Sequence, residues 1–162
     1  MTLADRLQSD MTTAMRGGEA LRRDTLRMVI AAAHNAEVAA RRPLSDDELL
    51  GVLVKEAKTR RESIEAYTQV GRSDLADKER AEVDIISVYL PAALTEDELR
   101  AMISEAITAT GAASARDMGK VMGRLSPQIR GRADGKQVSG LVAQELARLD
   151  LAAHEHGGSG GR

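Results

Sequence analysis

TEDELRAMISEAITATG, Thr95 to Gly111, decides how the chain is read. Thr95 and Glu98 have the spacing of a capping box, and three acids crowd the first turn, where the helix dipole favours negative charge. Leu99, Met102, Ile103, Ala106 and Ile107 then recur at the 3.6-residue period that gives a helix one apolar stripe. Gly111 follows as the residue that most readily takes the left-handed conformation ending a helix.

The same grammar extends upstream. Ser45 and Glu48 in SDDE repeat the start signal. The helix they open carries Leu49, Val52, Leu53, Glu56, Ala57, Arg60, Ile64 and Tyr67, and Gly71 stops it. A first helix is expected over about 3–15, ending at Gly17-Gly18, and a second over about 19–41, ended by Pro43. Ser73 opens a fourth, over 74–89, closed by Pro91. YLPAALTEDE marks a boundary between an N-terminal helical domain, 1–93, and a compact three-helix domain, 94–150. The tail, 151–162, reads as flexible linker. The fold class expected is all-α. Composition agrees: there is no Phe or Trp, and Tyr67 and Tyr89 are the only aromatics. Such a core suits close-packed helices better than sheets, which favour aromatic and β-branched residues.

Downstream lies GKVMGRLSPQIRGRADG, Gly119 to Gly135. It is no phosphate-binding loop: GRADGKQ has one residue too few between its glycines and Gln137 where a hydroxyl is required. Gly119 and Gly123 share a helix face, where small residues let a neighbouring backbone approach. Pro127 is expected to bend or end that helix, Gly131 to turn the chain and Asp134 to cap the last helix. From Ser114 to Gly140 six basic residues face two acids, a net of +4, while the 17 basic and 23 acidic residues elsewhere give −6. Lys120, Arg124, Arg130, Arg132 and Lys136 lie outside the apolar stripe. A solvated surface and an anionic partner both fit such a cluster.

Other chemistry is poorly supplied. The absence of cysteine excludes disulfides, thiolate metal sites and a cysteine nucleophile. His34 stands alone on an alanine-rich helix, and His154 and His156 sit in the tail, so neither a metal site nor a cofactor is expected. Charges along KEAKTRRESIEAY read as a self-paired, solvated face: Glu56 with Arg60, Lys58 with Glu62, Arg61 with Glu65. Lys78–Glu82 and Arg80–Asp84 continue it. No apolar run approaches the ~20 residues of a membrane span, and the N-terminus lacks a signal-peptide pattern. A cytoplasmic protein is the expectation.

RRDTLRMVIAAAHNAEV, then KEAKTRRESIEAYTQVGRSDLADKERAEVDIISVYLPAALTEDEL, then DMGKVMGRLSPQIRGRADGKQVSGLVAQEL resemble the YqeY-like proteins from about Leu3 to Leu149. The last block is also similar to the tail domain of GatB, a component of the glutamine-dependent aspartyl/glutamyl-tRNA amidotransferase. The resemblance implies an all-helical protein of two parts linked to tRNA-dependent amidation. It implies tRNA as a partner and makes Lys120, Arg124, Arg130, Arg132 and Lys136 candidate RNA contacts. The catalytic cradle of the amidotransferase has no counterpart in the chain. The expectation is therefore a non-catalytic, tRNA-associated module. A protein-interaction adaptor of an amidotransferase or translation complex is the first alternative. A carbon–nitrogen ligase with glutamine as amido donor, the activity attached to the family, is the second.

Overall fold

The computed structural model describes residues 1–157. They form seven α-helices and one 3-10 turn, with no strand among the described residues. The all-α expectation holds. The chain divides into two compact units, Met1–Pro91 and a second that begins at Ala92. The first contains α1 (Leu3–Arg16), α2 (Ala20–Ala40), α3 (Asp46–Gln69) and α4 (Ser73–Ser87). The second contains α5 (Glu96–Thr110), the 3-10 turn (Ala115–Asp117), α6 (Met118–Ile129) and α7 (Gly135–Gly157).

Local sequence sets most of these boundaries. Ser45 and Thr95 accept the N–H groups of Glu48 and Glu98, and both glutamates return the bond to the capping residue. Thr2 with Asp5 makes a third such box, hidden from the sequence reading because aspartate replaces the usual glutamate. Gly71 and Gly111 turn the chain at φ +74° and +68°. Arg41 takes the same left-handed conformation at the end of α2 without being glycine, at φ 57°.

The box at Ser45 also carries a pH signature. Arg42 grips the Glu48 carboxylate through two nitrogens, at 2.8 and 2.6 Å, and the Ser45 N–H adds a bond at 2.9 Å. The Arg42 bond first, then the Ser45 N–H, pull the Glu48 carboxyl down to about 2. A carboxyl whose pKa is lower folded than unfolded stabilises the fold above its unfolded value, and this is lost as pH falls. The expected result is that Glu48→Gln removes part of the stability lost between about pH 4.5 and pH 2, as followed by helical circular dichroism.

In the first unit Leu7, Leu26, Val29, Leu49, Leu53, Ala57, Ile86 and Tyr89 form the core. Two charges are buried beside it, Arg60 and Glu82, 4% and 6% exposed. The Arg60 Nε lies 2.9 Å from Glu82, and its Nη1 lies 2.8 Å from Glu56. The self-paired, solvated face expected for α3 and α4 is therefore corrected. Arg60 turns inward and takes Glu82 across the helix pair. Lys58–Glu62, Arg61–Glu65, Lys78–Glu82 and Arg80–Asp84 do not form among the described residues, and Arg80 pairs with Asp77 at 2.7 Å. Exposed i,i+4 pairs are worth only tenths of a kcal/mol, so solvation and side-chain entropy readily undo them.

In the second unit Leu99, Ile103, Ala106, Ile107, Val121, Leu125, Ile129, Val138, Val142 and Leu146 close the core. The last helix runs on to Gly157, so 151–157 are not the expected linker. Leu151, Ala152 and Ala153 are good helix formers, and the Asp150–His154 contact at 3.5 Å sits one turn apart on the same face. The remainder of that expected tail, 158–162, lies outside the described residues.

Candidate nucleic-acid interface

The passage 114–140 is built as turn, helix, turn, helix. Asp117 accepts the N–H of Ala113 at 2.9 Å and that of Ser114 at 3.4 Å, which fixes the 3-10 turn at the head of α6. The Ala113 bond is the main reason its carboxyl sits below the ordinary range. α6 buries Val121, Leu125 and Ile129 along one stripe. It continues through Pro127 and stops only at Ile129. Pro127 is exposed, so the Gly123 carbonyl it leaves without a partner faces solvent and the helix survives one more half-turn. Gly131, at φ +74°, then reverses the chain. Asp134 caps α7, accepting the Lys136 N–H at 3.2 Å, while its carbonyl takes the Val138 N–H at 3.0 Å.

Both acids of the passage are thus occupied with backbone amides. The cations are not all neutralised by them. Lys120 lies 3.8 Å from Asp117, a loose exposed contact. Arg124 reaches across to Glu105 of α5 at 2.9 Å, again in the open. Arg132 is half-buried and donates from Nε to the Ala92 carbonyl at 3.3 Å, and its own carbonyl accepts the Leu94 N–H at 2.8 Å. It has a structural duty that its sequence position gave no sign of. Arg130 and Lys136 are exposed and have no carboxylate within 4 Å among the described residues. Arg116, absent from the candidate set, is equally exposed and unpaired. Its four-residue step ahead of Lys120 and Arg124 was the available signal.

The two glycines of α6 correct a further expectation. A Cβ added to Gly119 or Gly123 meets no atom outside its own helix backbone within 4 Å, so no neighbouring backbone among the described residues packs closely there. Together with Lys120 and Pro127 they form the helix face opposite the buried stripe. Both have ordinary helical φ, so alanine fits at either position. Gly119→Ala and Gly123→Ala are each expected to stabilise the protein by about 0.5–1 kcal/mol, measured by urea unfolding.

Away from this passage, no group of three or more potential metal ligands is gathered among the described residues. No described helix is long and apolar enough to cross a membrane. His34 is exposed on α2.

Comparison with known proteins places the chain. Three relatives, each named "Altered inheritance of mitochondria protein 41, mitochondrial", match it. The protein of Pyrenophora tritici-repentis is 33% identical over 142 residues, 86% of this chain and 78% of that protein. The Lachancea thermotolerans protein is 33% identical over 106 residues, 63% of this chain and 56% of its own length. The Eremothecium gossypii protein is 34% identical over 87 residues, 53% and 48%. The chain thus spans about half the length of the latter two. These names overturn the cytoplasmic expectation. That expectation rested on the absence of cysteine, of a membrane-length apolar run and of a secretory signal-peptide pattern, and none of these separates the cytoplasm from a mitochondrion. The profile of the Yqey-like protein family matches residues 4–146, spanning both helical units, and the chain belongs to that family.

Proposed function

We propose that this is a non-catalytic, tRNA-associated protein whose 114–140 segment holds RNA by its phosphates. The observation that carries the reading is the charge balance there. Arg116, Arg130 and Lys136 have no carboxylate within 4 Å among the described residues, and both acids of the segment are engaged with backbone amides. Unpaired guanidinium and ammonium groups are the usual phosphate contacts. Beyond Tyr89 the chain has no Phe, Tyr or Trp, so base stacking on such a ring is not available in this unit and recognition rests on backbone and shape.

A binding role also fits two of the three serine hydroxyls of the segment. Ser126 donates to the Met122 carbonyl at 2.8 Å and Ser139 to the Gly135 carbonyl at 2.9 Å, so each is spent on its own helix. Among the described residues neither is hydrogen-bonded to a histidine or carboxylate that could activate it, which a nucleophile requires.

Five phosphate contacts give a log–log salt slope of roughly −3.5 to −4.5. Titration of total tRNA against the full chain is therefore expected to show affinity falling about 10²-fold between 50 and 200 mM salt. Binding that is absent at low salt, or indifferent to salt, refutes the reading.

A further inference from the structure

A different site lies in the N-terminal unit and does not depend on the RNA reading. Arg60 is 4% exposed, and a guanidinium has an N–H at Nε and a pair at each Nη to satisfy. Nε donates to Glu82 at 2.9 Å. Nη1 donates to the Glu56 side chain and carbonyl, at 2.8 and 3.1 Å. Nη2 has one acceptor among the described residues, the Met28 sulfur, at 3.9 Å. A thioether is a weak acceptor, so the buried cation is under-served on the side that faces Met28.

Met28 itself is open to solvent. It lies on α2 and is 52% exposed. The contact thus joins a buried donor to a sulfur that a small solute reaches. Met15 is as open, at 50%, but no donor reaches its sulfur among the described residues.

We propose that Met28 is a reversible oxidation site for hydroperoxides, and that Arg60 binds the sulfoxide it forms. The thioether sulfur attacks the terminal peroxide oxygen. An S–O bond forms and the O–O bond breaks. The proton on the attacked oxygen passes to the leaving oxygen, which departs as water or an alcohol. Sulfur is oxidised by two electrons and the peroxide is reduced by two. The new oxygen, added on the side of Arg60, lies between sulfur and Nη2 and replaces a weak acceptor by a strong one. Bonds to a charged donor are the stronger kind. Methionine oxidation disrupts a core when the side chain is packed in it, but half of Met28 is already in water. Oxidation therefore tightens the junction of α2, α3 and α4, and sulfoxide reductases restore the thioether.

The test uses the full chain and hydrogen peroxide. Peptide mass spectrometry is expected to find one added oxygen on Met28. Tyr67 and Tyr89, the only aromatics, both lie in Met1–Pro91, so tyrosine fluorescence in urea follows that unit. Oxidation is expected to lower its unfolding constant about tenfold, whereas a surface sulfoxide without a partner leaves the constant unchanged or raises it. Met28→Leu conserves volume and, treated alike, corrects for Met1, Met11 and Met15. It is expected to show no gain. Arg60→Met with Glu82→Leu removes both charges of the buried pair together, and there too the gain is expected to vanish. NMR of the Arg60 guanidinium in the parent chain needs no variant: the Nη2 protons are expected to move downfield on oxidation. Met28 left intact after Met15 has reacted overturns the proposal. So does an unchanged or raised unfolding constant, an equal gain in either variant, or Nη2 protons that do not move.

Discussion

Replacing Arg60 with alanine is expected to destabilise the N-terminal unit by about 3–5 kcal/mol, the cost of leaving a buried charge without its partner. Arg60 joins three helices. Its Nε lies 2.9 Å from Glu82 on α4, and its Nη1 takes both the side chain and the carbonyl of Glu56 on α3, at 2.8 and 3.1 Å. Its Nη2 points toward the Met28 sulfur of α2 at 3.9 Å. Burial works against the cation, but the bonds to Glu56 and Glu82 together outweigh it, and the guanidinium is held more firmly protonated than usual. Among the described residues Glu82 has no second cation within 4 Å. With Arg60 gone its carboxylate, 9% exposed, is stranded.

The loss is therefore a stranding cost rather than the worth of the pair. A buried ion pair replaced whole by apolar residues is often neutral or better. Arg60→Met with Glu82→Leu is expected to recover most of the stability lost by Arg60→Ala, since Glu56 is a quarter exposed and can reach water. Urea unfolding of the single and double variants gives the coupling directly. A cost below about 1 kcal/mol for Arg60→Ala would mean that water reaches Glu82 and that the pair behaves as a surface contact.

The same residue shows where sequence reading stops. Leu49, Leu53, Ala57 and Arg60 follow one helical stripe, and all four are buried. The stripe was legible, and with it the helix. The fate of the arginine was not, because Glu56 at i−4 offers an equally good partner in solvent. Only the packing of α4 against α3 brings Glu82 within reach, 22 positions along the chain. Capping boxes and glycine stops are local, so Thr95, Ser45, Gly71 and Gly111 announced themselves. Gly119 and Gly123 could be read as small but not as uncovered, since what lies over a helix face is a tertiary fact. The RNA candidates divide in the same way. Residue type and charge count were visible at all five. That Arg132 holds the Ala92 carbonyl, or that Arg124 meets Glu105, depends on elements far apart in sequence. The length of α7 was missed for another reason. Glycines beyond residue 156 suggested a linker, but the preceding Leu-Ala-Ala stretch carries helical propensity of its own.

That division among the cations decides which variants test the RNA reading. Arg130→Ala with Lys136→Ala is expected to flatten the tRNA salt slope by about 1.4–1.8, two contacts' worth, with no loss of stability. Neither side chain makes an ion pair or a hydrogen bond among the described residues, so neither supports the fold. Adding Arg132→Ala is expected to bring the total flattening to about 2.1–2.7 and to leave roughly tenfold, not hundredfold, weakening between 50 and 200 mM salt. Arg132 also holds the Ala92 carbonyl, so the triple variant loses some stability as well. The double variant is the cleaner measure for that reason. Affinity lost equally at all salt concentrations would be a folding effect, because phosphate contacts act through released counterions and must change the slope. A double variant that binds tRNA with the parent slope would place the RNA elsewhere or nowhere. The exposed cations of 114–140 would then be a solvated surface, the other meaning their charge allows.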